Sequence, residues 1–133
     1  MNSKKIIEVT AAIIRKDNRF LCAQRTNSSD QAGKWEFPGG KIEIGESPEI
    51  CLERELLEEF NIQACCGEFL CENTHDYGDK IVKLKAYFIE WTKGSFQLLV
   101  HKDIKWLTCD TILDLDWAEA DLPIVHKLID QCK

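Results

Sequence analysis

Three glutamates carry the first chemical signal in this chain: Glu55, Glu58 and Glu59, spaced i, i+3, i+4. On a helix turning roughly 100° per residue they fall on one face. Carboxylates this close repel one another and raise one another's pKa. A divalent cation removes that cost, and an all-oxygen donor set selects Mg²⁺ or Mn²⁺ over zinc. A bare Glu-x-x-Glu-Glu also fits a solvated acidic face, so its context has to decide.

The elements that position these groups can be read from caps and periodicity. Ser47-Pro48-Glu49 is a helix start: Ser suits the N-cap, Pro the first helical position and Glu the positive end of the dipole. The helix should run to about Phe60, with Leu52, Leu56 and Phe60 as its apolar ridge and Asn61 as a left-handed stop. Residues 6–15 read as a mostly apolar strand, Lys16-Asp17-Asn18 as a turn and Arg19 to Gln24 as the returning strand. Residues 26–34 form a polar loop, and Trp35-Glu36-Phe37 is a short extended piece broken by Pro38-Gly39-Gly40. Residues 62–72, 80–91 and 104–107 read as strands, with Tyr77-Gly78-Asp79 between the first two. Asp110 to Leu113 suits a helical turn. Asp121 to Gln131 suits a closing helix with Leu122, Val125, Leu128 and Ile129 on one side. The expected class is α+β, or a mixed three-layer arrangement.

Composition narrows the function. The 133 residues are 44% hydrophobic and 30% charged, with a net charge of −6. That balance suits a globular domain, and the acidity does not suit a polymeric nucleic-acid backbone. A small phosphorylated ligand remains compatible, because a bound cation reverses the local field. No run reaches the length of a membrane helix. The apolar stretch after Lys5 is too short for a signal-peptide core, so a cytoplasmic location is expected. The seven cysteines are odd in number and scattered, with no Cys-x-x-Cys pair. They read as reduced thiols acting as small hydrophobes rather than as a disulfide framework. The one cluster, Cys65, Cys66 and Cys71 near His75, is a weak zinc candidate on spacing alone.

Gly40, Glu46 and the run Arg54-Glu55-Leu56-Leu57-Glu58-Glu59-Phe60-Asn61-Ile62 together resemble the Nudix box, G-x5-E-x7-R-E-U-x-E-E-x-G-U, where U is aliphatic. Every specified position matches except the last Gly, which is Asn61 here. Trp35 to Glu43 is similar to the corresponding segment of MutT-type nucleotide pyrophosphohydrolases. Ala23-Gln24-Arg25 and Ser29 to Gly33 look more like the CTP pyrophosphohydrolase branch. Trp117 to Pro123 resembles the start of their last helix. The similarity covers nearly the whole chain, which implies a single α/β/α sandwich over residues 1–133.

The resemblance implies Mg²⁺, with Mn²⁺ as a possible substitute, on Glu55, Glu58, Glu59 and the carbonyl of Gly39. Arg54 and Glu46 would orient these carboxylates. Glu58, Glu55 and Arg54 form the implied catalytic set, with Glu58 as the base. The implied reaction is water attack on a nucleoside triphosphate, releasing a monophosphate and pyrophosphate in nucleotide-pool sanitation. Arg25 and Lys41 match phosphate contacts. Glu36, Phe37, Tyr77 and Asp121 complete the substrate set, with Phe37 and Tyr77 as candidates to stack on a base. An ionised Asp121 only accepts hydrogen bonds, so it suits an amino group such as cytosine N4 and disfavours guanine O6; a protonated one accommodates either. This points to (d)CTP-type or modified pyrimidine substrates, with 8-oxo-dGTP and other oxidised purines as alternatives. Asp121 as a plain helix cap is the simpler reading. Relatives often carry a Glu where Val100 stands, just before His101, so a nucleotide-binding module with weak turnover is a further alternative. A small-molecule nucleotide is the expected partner, without nucleic acid polymer or membrane, and the chain would be a monomer or homodimer.

Overall fold

The computed structural model describes residues 4–132. β1 (Lys5–Lys16) turns through Asp17 and Asn18, both at positive φ, into β2 (Arg19–Gln24). Asn and Asp adopt that left-handed backbone more readily than other side-chain-bearing residues. A two-residue β3 (Trp35–Glu36) is followed by α1 (Pro48–Phe60), β4 (Gln63–Asp76), β5 (Lys80–Lys93), β6 (Asp103–Leu107) and α2 (Leu122–Gln131). The strand order is β3-β2-β1-β5-β4, with β6 paired to β2. β1 and β5 are parallel over Lys5–Ile14, and the remaining pairs are antiparallel.

β1 explains the three layers. Successive side chains of a strand point to opposite faces. Ala11 and Ile13 pack with Ile124, Val125 and Leu128 of α2, while Ala12 and Ile14 pack with Leu52, Leu56 and Phe60 of α1. A strand covered on both faces reads as a continuous apolar run, as this one does. Each fully buried Leu or Phe of the α1 ridge contributes about 1.5–3 kcal/mol. The helix starts as its caps predict: the Ser47 side chain accepts from the Ile50 N–H at 3.1 Å, and Asn61 ends it at φ 56°. The molecule is thus an α+β sandwich.

Some boundaries move. β4 extends to Asp76 because its polar tail pairs with β5 over Ile81–Lys85, beyond the apolar segment that marked the strand in sequence. The expected helical turn at 110–113 is a 3-10 turn over Ile112–Asp114. On α2 the buried residues are Ile124, Val125 and Leu128, whereas Leu122 is exposed. The cysteine reading needs correction at one pair. Cys109 and Cys132 are disulfide-bonded with Cα atoms 6.7 Å apart, because the strand-following loop and the end of α2 meet in space. Among the described residues, Cys22, Cys51, Cys65, Cys66 and Cys71 are free. No described helix is long and apolar enough to cross a membrane.

Candidate active site

The Gly39-Gly40 turn is fastened to the central sheet. Thr10 N–H donates to the Gly40 carbonyl at 2.8 Å, Ala12 N–H to the Pro38 carbonyl at 2.7 Å, and Ile42 N–H to the Glu8 carbonyl at 3.0 Å. Residues 38–42 therefore lie along β1 like an added strand, in the space β1 opens by diverging from β2. The Pro38 and Gly40 carbonyls are taken by β1, and that of Gly39 is not. Both glycines are needed for close approach. A Cβ at Gly39 would overlap the Thr10 carbonyl, and one at Gly40 would overlap the Glu55 carboxyl.

α1 presents the acidic face to this turn. Glu59 accepts from the Gly39 N–H at 3.3 Å. Burial, with Glu36 and Glu55 nearby, pushes the Glu59 carboxyl up to about 9. Burial also raises Glu55, against the opposing pull of Arg54. Arg54 is the cation of the group. It grips Glu46 with two bonds, Nε to Oε2 at 2.7 Å and Nη2 to Oε1 at 2.9 Å. It also reaches Glu55 at 2.9 Å, Glu58 at 3.2 Å and the Lys41 carbonyl at 3.3 Å. That fork holds the Glu46 carboxyl down at about 2. The Glu58 carboxylate is turned toward Arg54. Among the described residues, no three acidic, His or Cys side chains converge on a single point.

A cleft of about 450 Å³ opens beside the turn. It gathers Arg25, Glu36, Phe37, Gly39, Glu59, Tyr77 and Asp121. Glu55 is packed behind Gly40, Glu58 is exposed, and neither lines the cleft. Lys41 is exposed and lies outside it. Glu36 joins two partners, Arg25 Nη1 at 2.9 Å and His101 Nε2 at 2.9 Å. Arg25 is further fixed by the Asp30 carbonyl at 2.6 Å. His101 is buried and stacked on Phe60 with ring centroids 5.2 Å apart, whereas Val100 is exposed and outside the cleft. His101 is thus turned to Glu36 and does not line the cleft.

At the other end of the cleft, Phe37 is buried and tilted against Trp117, with centroids 4.8 Å apart. Asp121 does not cap α2. It has no side-chain bond to the helix, and its Oδ2 accepts from the Phe37 N–H at 3.0 Å. Burial, with Glu36 adding to it, holds its carboxyl well above the usual carboxylate range. The Tyr77 hydroxyl accepts from the Ala120 N–H at 2.9 Å, so the phenol is tied to the segment before α2. Asp30 and Lys80 also line the cleft and lie 3.4 Å apart, a pair that nothing in the local sequence announces.

The NUDIX domain family matches residues 4–128. The chain belongs to the Nudix family. It is 40% identical over 125 residues to the CTP pyrophosphohydrolase of Escherichia coli, covering 94% of this chain and 93% of that one. It is 33% identical over 130 residues to the 8-oxo-dGTP diphosphatase of Haemophilus influenzae, covering 96% and 95%. Among solved structures, the E. coli ORF135 protein matches with a TM-score of 0.86 at 38% identity, over 97% of this chain and 92% of that one. The MutT protein of Methanosarcina mazei matches with a TM-score of 0.86 at 25% identity, over 98% and 97%. The Nudix chain described here is accordingly a hydrolase, and its fold is that of these neighbours.

Proposed function

We propose that this Nudix hydrolase converts a nucleoside triphosphate and water to a nucleoside monophosphate and pyrophosphate, acting on (d)CTP-type or modified and oxidised nucleotides. The observation that carries the reading is the polarity of the cleft. The glycine turn and Glu59, the one α1 carboxyl that lines the cleft, lie at one end, and Phe37, Tyr77 and Asp121 at the other. A nucleotide has the same division between phosphates and base.

The acidic end fits a divalent cation. Glu55, Glu58, Glu59 and the carbonyl of Gly39 are hard oxygen donors, and Arg54 is the one cation bonded to this group among the described residues. A bound Mg²⁺, or Mn²⁺, would supply neutralisation of phosphate charge and activation of water. The residues of the chain do the rest. Arg54, anchored by Glu46, orients Glu55 and Glu58. Glu58, the most exposed of the three carboxylates, takes the proton from water in this reading. Arg25, braced by Glu36, meets the phosphates. At the base end, Asp121 spends one oxygen on Phe37. Burial, with Glu36 adding to it, favours the protonated form, and in that form the other oxygen donates as well as accepts. This removes the preference for an amino group that an ionised carboxylate would impose and admits carbonyl-bearing bases too.

Pyrophosphate release with Mg²⁺ tests the proposal, using CTP, dCTP, 5-methyl-dCTP, 5-hydroxy-CTP, 8-oxo-dGTP, dGTP, ATP and ADP-ribose. A sharp preference for one or two triphosphates is expected. Turnover of ADP-ribose alone would refute it. Val100 favours a second reading, a nucleotide-binding module with weak turnover, because neither it nor His101 offers a carboxylate. Val100→Glu should then raise turnover severalfold, and an unchanged rate would dispose of that reading.

A further inference from the structure

The polar tail of β4 lies where a strand facing the core would carry apolar residues. Asn73 sits opposite Leu84 and His75 opposite Val82, two apolar residues that line the cleft. Directly opposed residues of neighbouring strands project to the same face. Asn73 and His75 therefore stand on the cleft side of the sheet, yet neither lines the cleft.

Their bonds show what they hold. Asn73 Nδ2 donates to the Ala120 carbonyl at 3.0 Å, and the Ala120 N–H donates to the Tyr77 hydroxyl at 2.9 Å. One buried residue thus has both of its backbone polar groups taken by side chains from β4 and the turn after it. His75 adds a contact to the Glu119 carboxylate at 2.8 Å. Ala120 immediately precedes Asp121, whose side chain is fixed from the opposite direction by the Phe37 N–H. The Asp121 carbonyl accepts from the Ile124 and Val125 N–H groups of α2 at 2.9 and 3.1 Å, while its side chain leaves the helix uncapped and is held by the segment after β3.

We infer that Asn73 is a positioning residue for substrate choice, acting with Tyr77 through the peptide of Ala120 to set where Asp121 meets the base. The inference rests on the proposal that Asp121 contacts the base. Hydrogen bonds discriminate between bases only when donor and acceptor are placed to within a fraction of an ångström. Loosening the Ala120 clamp therefore erodes discrimination between bases before it erodes the chemistry, which takes place at the far end of the cleft.

Asn73→Asp is nearly isosteric and replaces the donor with an acceptor facing a carbonyl. Its kcat/KM should be measured over the triphosphate panel beside the parent, Asp121→Asn and the double variant. The ratio between the best and second-best triphosphates should fall about 5–10-fold in Asn73→Asp, near 1.4 kcal/mol at the tenfold end. Its kcat on the best substrate should stay within about twofold. The double variant should keep the ratio of Asp121→Asn alone, because Asn73 acts only through Asp121. A merely structural role would instead lower kcat on all substrates alike, and additive ratios or an unchanged ratio in Asn73→Asp would overturn the inference. If Asp121→Asn itself leaves the ratio unchanged, it is the base-contact reading that has failed. Should Asn73→Asp not fold, Asn73→Ser, whose hydroxyl is too short to reach Ala120, must give the same loss of discrimination.

Discussion

At the scale of single residues, Glu59 and Cys22 show what burial does to an ionisable group. Glu59 is a buried carboxyl surrounded by like charge. Glu59→Gln should abolish pyrophosphate release while leaving the melting temperature near neutral pH close to the parent's, because a carboxyl pushed up to about 9 is already mostly uncharged there and Gln keeps an acceptor for the Gly39 N–H. Near-normal turnover would sink its assignment to the cation. Cys22 has its thiol pushed up from 9.0 to about 12 by burial alone. The unfolded chain releases this proton first, so its contribution to stability is complete below pH 9 and declines as pH rises from 9 toward about 12. The decline is at most about 1.4 kcal/mol per pH unit. Urea melts across that window, compared with Cys22→Ala to cancel other titrations, should show the extra slope in the parent only. The box residues were legible because their spacing is local. The bond from Asp121 to the Phe37 N–H was not, since it spans 84 positions and only tertiary structure creates it.

At the scale of elements, α1 was readable from end to end. Ser47, Pro48 and Asn61 each satisfy or stop a helix by their own backbone and side-chain chemistry. The turn before it was recognised as a turn, but its attachment to β1 was not, because backbone pairing leaves little trace in side-chain identity. The two glycines of that turn should respond differently to a methyl group. Gly39→Ala meets the backbone carbonyl of Thr10, so the segment must leave β1, and stability should fall markedly. Gly40→Ala meets the end of the Glu55 side chain, which can swing aside. It should fold with little loss in melting temperature and show strongly reduced turnover. Equal loss of stability in both would contradict this geometry. The polar tail of β4 escaped notice for a different reason: Asn73 and His75 break the apolar pattern of a strand because they hold the loop before α2.

At the scale of the whole molecule, α1 and α2 cover opposite faces of one sheet, and the cleft takes Glu59 from one helix and Ala118, Ala120 and Asp121 from the residues leading into the other. The Cys109–Cys132 bond ties the loop after β6 to the end of α2 across a sequence separation of 23. No spacing rule identifies two partners among seven scattered thiols, which is why the pairing was missed. A cross-link of this span is worth about 3 kcal/mol through the unfolded chain. Reduction should therefore lower the melting temperature by several degrees in the parent and leave a Cys109→Ser variant unmoved, with a mass gain of two hydrogen atoms confirming the bond.

The attachment of residues 38–42 to β1 also governs how the site breathes. The amide hydrogens of Thr10 and Ala12 belong to the innermost strand, yet their acceptors are Gly40 and Pro38. Solvent deuterium can reach those two amides only when the glycine turn detaches, and that strand is packed on both sides. Their exchange should therefore be as slow as that of the deepest core amides. The glycine turn then opens only when the protein as a whole does, and motion that widens the cleft falls to its other lining segments, the loop carrying Asp30 and Gln31 and the turn carrying Tyr77 and Asp79.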